Sequence, residues 1–198
     1  LVNKVYAAAW DWAISTADRA NRTSCSIGGK CARNLLHFVD QRVGRWDSLR
    51  IIEELFAVEK RWHPDVHFVE DGVIWKALAP VVFSEMRARD IYLKIQPILP
   101  VKDKAVRGRA LQKRMSSGTC RFDKKAAWYP GFEAELLKFT EGAEATLDDQ
   151  FDSAAHLARG LETWGQVEEE DFRSEEEEEF EWQAVNSRHN GRSQVTGY

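Results

Sequence analysis

The stretch from Val2 to Trp12 is apolar apart from Asn3 and Lys4, carries no helix cap, and ends in Trp10-Asp11-Trp12. Small, β-branched and aromatic side chains in such a run favour an extended strand, so a carboxylate stands at the strand's end. Val66-His67-Phe68-Val69-Glu70 repeats the arrangement. Val66, Phe68 and Glu70 share one face of a short strand, which places a second carboxylate at a second strand end. Between these two strands, the polar turn Asp18 to Arg22 leads to two further extended pieces, Thr23 to Ile27 and Asn34 to Val39, which read as a meander. Asp47 or Ser48 then caps a helix whose apolar positions Ile51, Ile52, Leu55, Phe56, Val58 and Trp62 recur at helical spacing until His63-Pro64 stops it.

Beyond Glu70 the pattern predicts a helix from Gly72 through Met86, a strand within Ile91 to Leu99, a basic helix, a short extended piece at Thr119 to Phe122, and a last helix from Leu147 to Arg159. Three meander strands followed by alternating helices and strands imply an α/β fold with a mixed central sheet and helices on both faces. In the last helix Phe151, Ala154, Ala158 and Leu161 form one stripe and the acids another. His156, one turn from Asp152, could face the acids but is expected to face solvent, and Trp10 and Trp12, which flank Asp11 and could touch a substrate, are expected to pack in the core.

At 198 residues with eight Trp, the chain suits one domain plus a tail, and whole-chain disorder is excluded. No apolar run approaches the ~18 to 20 residues of a membrane-spanning helix. Three cysteines without a zinc-type spacing read as reduced thiols of a cytoplasmic protein. The start, Leu1-Val2-Asn3-Lys4, suggests a piece of a longer chain.

Charge is unevenly spread. Residues 1–161 hold 25 Lys and Arg against 21 Asp and Glu, whereas residues 162–182 hold eleven acids against Arg173 alone. Such dense like charge predicts a disordered acidic tail over 164–198 after a domain spanning 1–163. That tail is either plain solvated disorder or a mimic of DNA that competes for basic surface. Residues 102–125 carry nine basic side chains against Asp103 and Asp123, either a solvated helix face or a seat for a polyanion.

Asp148, Asp149 and Asp152 open the last helix at three- and four-residue spacing, so their side chains neighbour one another. They could share an all-oxygen cation such as Mg²⁺ or Mn²⁺, or serve as a helix cap through Thr146-x-x-Asp149. Asp11 and Glu70 add acids at strand ends, where ligand sites of open α/β sheets gather.

Taken together, Trp10-Asp11-Trp12-Ala13 with Asn21-Arg22-Thr23, then Phe68-Val69-Glu70-Asp71-Gly72, the Lys/Arg stretch Lys102 to Arg114, and Leu147-Asp148-Asp149-Gln150-Phe151-Asp152-Ser153-Ala154 resemble the ribonuclease H-like nuclease domain of tailed-phage large terminase subunits. The resemblance covers residues 1 to about 162. It implies that Asp11, Glu70 and Asp152 are catalytic metal ligands, that Asp149 is an additional one, and that two Mg²⁺ or Mn²⁺ ions drive phosphodiester hydrolysis. Lys102, Lys104, Arg107, Arg109, Lys113 and Arg114 would then hold DNA phosphates without sequence preference.

The expected partners are double-stranded DNA, an N-terminal ATPase motor domain of the same full-length chain, the portal protein and the small terminase subunit, in the host cytoplasm. No GxxxxGK[ST] phosphate loop occurs here, so this stretch does not itself contain the motor. Two other readings stay open: a non-catalytic docking module of the same fold, and another ribonuclease H-like enzyme such as a junction resolvase or transposase core.

Overall fold

The computed structural model describes residues 3–14, 21–101, 103–140 and 148–164. They fall in a compact unit, Leu1–Leu161, and in the first residues of a second unit, Glu162–Tyr198. The acidic tail beyond Trp164 lies outside the described residues.

The elements run β1 (Asn3–Asp11), β2 (Thr23–Cys31), β3 (Leu36–Gly44), α1 (Ser48–Trp62), β4 (Val66–Glu70), α2 (Val73–Arg89), β5 (Ile95–Ile98), α3 (Lys104–Ser116), β6 (Cys120–Phe122), α4 (Tyr129–Thr140) and α5 (residues 149–164). Six strands form one sheet in the order β5-β4-β1-β2-β3-β6. The β1-β2-β3 meander is antiparallel, and β4, β5 and β6 join their neighbours in parallel, so the expected mixed α/β sheet is present.

Sequence and structure differ at several elements. The strand expected within Ile91 to Leu99 is confined to Ile95–Ile98, and β3 runs on to Gly44. Helix α4 is not foreseen from sequence, because Pro130-Gly131 reads as a turn signal. Pro130 instead occupies the helix's first turn, where its missing N–H costs nothing.

Strand alternation divides the sheet's two faces. Ala8, Trp10, Cys25, Ile27 and Val69 point to the side covered by α1 and α2, where they join Ile51, Leu55, Phe56, Trp75, Leu78 and Val82 in the main core. Trp10 is fully buried there, stacks on Trp12 at 4.8 Å, and donates its indole N–H to Nδ1 of His67 at 3.2 Å. The opposite face carries the partners of the other parity: Ala7, Ala9 and Asp11 on β1, Ser24, Ser26 and Gly28 on β2, and Val66, Phe68 and Glu70 on β4.

Helix α5 lies on this second face, so close that small residues are required. A Cβ on Gly160 would come within 2.5 Å of the Phe68 ring, and one on Gly28 within 2.7 Å of His37 O and 2.9 Å of Leu157 Cδ2. Ala154, Ala155 and Ala158 are fully buried along the same helix. Ser153 fixes its rotation by sharing hydrogen bonds with Ser24 (2.9 Å) and Ser26 (2.8 Å), both tied to Gln41. The amphipathic reading of this helix is therefore corrected. It is buried around most of its girth, because α3 and α4 cover the side away from the sheet: Phe151 fills the space over Gly108, and Gln150 meets Glu135.

This packing makes a prediction against intrinsic propensity. Gly160→Ala should favour the isolated helix by ~1 kcal/mol, yet overpacking against Phe68 typically costs ~1–3 kcal/mol. A thermal melt should therefore show a lower Tm than wild type.

Candidate active site

The parallel register Trp10↔Val69 makes Asp11 and Glu70 the next positions along neighbouring strands, so both carboxylates emerge at the same sheet end and on the α5 face. Together with Trp12, Gly72 and Trp75 they line a cleft of about 240 Å³. Asp71, one residue on, instead faces Lys76 at 3.5 Å, so of the two adjacent acids Glu70 is the one that shares the cleft with Asp11.

Helix α5 brings the other two acids to this end. Asp149 and Asp152 are both buried in its first turn. Asp11 responds to all of them. Burial first, then the charges of Asp152, Asp149 and Glu70, push its carboxyl well above the usual carboxylate range, and Arg107 only partly offsets this. The four acids expected to act together thus converge electrostatically on Asp11.

Each of the other three has its own counter-group. Arg22, at the start of β2, donates from Nε to Asp149 Oδ2 at 2.9 Å and from Nη2 to Glu135 Oε2 at 2.8 Å. Arg107, on α3, donates from Nη1 to Asp152 Oδ2 and from Nε and Nη2 to Val101 O. His156, one turn beyond Asp152, is fully buried, and its Nε2 stands 3.5 Å from Glu70 Oε2. This contact holds the Glu70 carboxyl below its usual range, while burial lowers the imidazole's own proton affinity. His156 therefore faces the acids and not solvent, because α5 has no solvent-facing side at this depth.

Glu135 of α4, 7 % exposed, organises the α5 end of the site. Its Oε1 accepts the backbone N–H groups of Gln150 (2.6 Å) and Phe151 (3.3 Å), and its Oε2 accepts Gln150 Nε2 and Arg22 Nη2, each at 2.8 Å. The helix terminus that carries Asp149 and Asp152 is thus capped by an acid from another helix. Thr146, the other half of the expected capping box, lies outside the described residues.

Among the described residues, no three His, Cys, Asp or Glu side chains are drawn together as a ready metal cage. Asp149 and Asp152 are instead held on Arg22 and Arg107. The donor set nonetheless fits a hard divalent cation: it is all oxygen, and burial together with the neighbouring acids holds Asp11 back from ionising.

The basic stretch divides. Arg109 and Lys113 are exposed on α3, one turn apart. Arg107 is turned onto Asp152, and Arg114, 7 % exposed, donates to Asn34 O and Oδ1. Lys102 and the side chain of Lys104 lie outside what is described.

No protein-family model and no curated protein sequence matches the chain. Solved structures do. The large terminase of a thermophilic bacteriophage aligns at 11 % identity and a TM-score of 0.51, over 80 % of this chain and 39 % of that one. The yeast mitochondrial Holliday junction resolvase Ydc2 aligns at 15 % identity and 0.49, over 77 % and 78 %. RuvC of T. thermophilus in complex with a Holliday junction aligns at 11 % and 0.45, over 81 % and 96 %. The fold is ribonuclease H-like.

Within that ribonuclease H-like frame, sequence reading missed the roles of Arg22, Glu135 and His156. Glu135 had left a trace, an acid between Phe132 and Leu136 on the buried side of a helical repeat. Its removal leaves Arg22 with Asp149 alone and two helix N–H groups unpaired, so Glu135→Ala should destabilise by about 3 kcal/mol, measured by denaturant unfolding.

Asp11 makes a prediction of opposite sign. The folded state holds its proton more tightly than the unfolded chain, whose Asp titrates near pH ~3.9, so stability is lost as pH rises above that value. With chelator present, Asp11→Asn should melt higher than wild type at neutral pH, and the difference should vanish below about pH 4.

Proposed function

We propose that this chain is a divalent-cation-dependent DNA endonuclease, the nuclease part of a large terminase that cuts concatemeric double-stranded DNA during viral genome packaging. One observation supports the reading: Asp11 and Glu70 share a cleft at one sheet end, and the charges of Asp152, Asp149 and Glu70 all act on Asp11. The sequence motifs and the terminase alignment support the same reading. The chain spans about two fifths of that terminase.

Asp11, Glu70 and Asp152 would hold Mg²⁺ or Mn²⁺, with Asp149 beside them. When bound, such ions activate water and stabilise the charge that develops on the phosphate and the departing 3′ oxygen. The chain's own part is to overcome the repulsion between its acids and a DNA phosphate. Arg107 and Arg22 place positive charge against Asp152 and Asp149, and exposed Arg109 and Lys113 offer phosphate contacts without sequence preference. His156 positions Glu70 from behind, and Trp12 walls the cleft. Cys25, Cys31 and Cys120 are all buried thiols, which suits them poorly to nucleophilic attack. Among the described residues no helix is long and apolar enough to cross a membrane. The motor domain, portal and small subunit are the partners this reading implies.

Supercoiled plasmid incubated with Mn²⁺ should be nicked and linearised, and chelator should stop it. Asp11→Ala and Asp152→Ala should each reduce cutting at least a hundredfold while circular dichroism stays that of wild type. DNA binding with no Mn²⁺-dependent cutting would mark a docking module instead, and a strong preference for four-way junctions over linear duplex would mark a resolvase.

A further inference from the structure

A second cleft opens at the same end of the sheet, on the β2-β3 side. It holds about 540 Å³ and is lined by Arg22, Arg42, Arg50, Trp46, Trp128 and Gln150, with Glu54 as its one acid. Three guanidinium groups line it, each held by a carboxylate, Arg22 by Asp149 and Glu135, Arg42 by Asp40 and Glu54, and Arg50 by Glu54, whereas the acids Asp11 and Glu70 line the neighbouring cleft.

The two tryptophans are half-buried and held in place. Trp46 lies over Gly44, where a Cβ would come within 2.2 Å of its ring, and forms a parallel bridge with Ile14. Trp128 is braced edge-on by Tyr129 (6.0 Å, 72°) and Phe132 (5.8 Å, 74°). Rigid, partly exposed indoles lose little entropy when a flat ring stacks on them.

The arginines are oriented but not enclosed. Arg42 reaches Asp40 at 3.1 Å and Glu54 at 3.6 Å, and Arg50 leans on Glu54 with its side chain still 60 % exposed. A guanidinium has five N–H donors, so Arg50, which gives one to Glu54, keeps donors for a phosphate.

Position links the two clefts. Asp11 pairs with Ser24 and Thr23 with Gly44, so β1 and β3 stand two strand spacings apart, about 10 Å. That is a step or two along a polynucleotide. Arg22 lines the second cleft and holds Asp149 of the acid cluster.

We propose that the Arg-Trp cleft receives an unpaired nucleotide next to the bond being cut, its base stacked on Trp128 or Trp46 and its phosphate on Arg42 and Arg50. Paired bases in a duplex hide their faces in the stack, so such a cleft selects DNA that is locally single-stranded. The placement beside the bond being cut rests on the nuclease reading above; the binding itself does not.

The test is therefore an equilibrium one, on the full chain in chelator, with no turnover. A short oligothymidylate should quench tryptophan emission and bind more tightly than a blunt duplex of the same length. Trp128→Leu, which keeps apolar bulk, and Arg50→Ala, on an exposed side chain, should each weaken oligothymidylate binding roughly tenfold or more, with duplex binding little changed. Wild-type affinity in both cleft variants would overturn the proposal, as would equal losses for single strand and duplex. Plasmid nicking that survives such a result would leave the nuclease reading standing while the cleft assignment falls.

Discussion

Four carboxylates at one end of a sheet repel one another, and the rest of this architecture is arranged so that they can nevertheless stay there. Asp11 shows that strain: burial and three like charges raise its proton affinity, and Arg107 partly eases it. Asp149 and Asp152 are balanced by Arg22 and Arg107, and His156 stands against Glu70. Strong perturbation at a cleft is the usual mark of groups whose charge is used.

The positions of those charges depend on close packing. Gly28 and Gly160 let α5 settle onto β2 and β4, the Ser24-Ser26-Ser153-Gln41 network sets its rotation, and Glu135 holds its first turn from outside. A rotation of α5 by one residue would swing Asp152 away by about 100°, so the small residues and the cap matter to the chemistry as much as the acids do. Arg22 and Arg107 connect this acid centre to the two basic surfaces, one through the Arg-Trp cleft and one through α3.

Local pattern carried much of this. The apolar runs that end in Asp11 and Glu70 show strands and their terminal carboxylates directly, and the spacing of Asp149 and Asp152 shows a shared helix turn. What the sequence left hidden depends on partners far along the chain. Nine basic residues between 102 and 125 look alike as a count, yet Arg107 turns inward to Asp152, 45 residues away, and Arg114 to Asn34, 80 residues away. His156 looked solvent-facing because one apolar stripe suggests one buried side, and that inference fails when a second layer covers the helix. Helix α4 escaped because Pro130-Gly131 signals a turn as readily as a helix start. Without α4, neither the cap by Glu135 nor the wall supplied by Trp128 could be anticipated.

Metal binding itself tests the central claim most directly. Mn²⁺ titrated into the metal-free chain, with free ion followed by electron paramagnetic resonance, should bind saturably to wild type. Asp11→Asn and Asp152→Asn should each weaken that binding at least tenfold, and Asp71→Asn should leave it unchanged. Absence of saturable binding, or binding that survives loss of the Asp11 charge undiminished, would contradict the account.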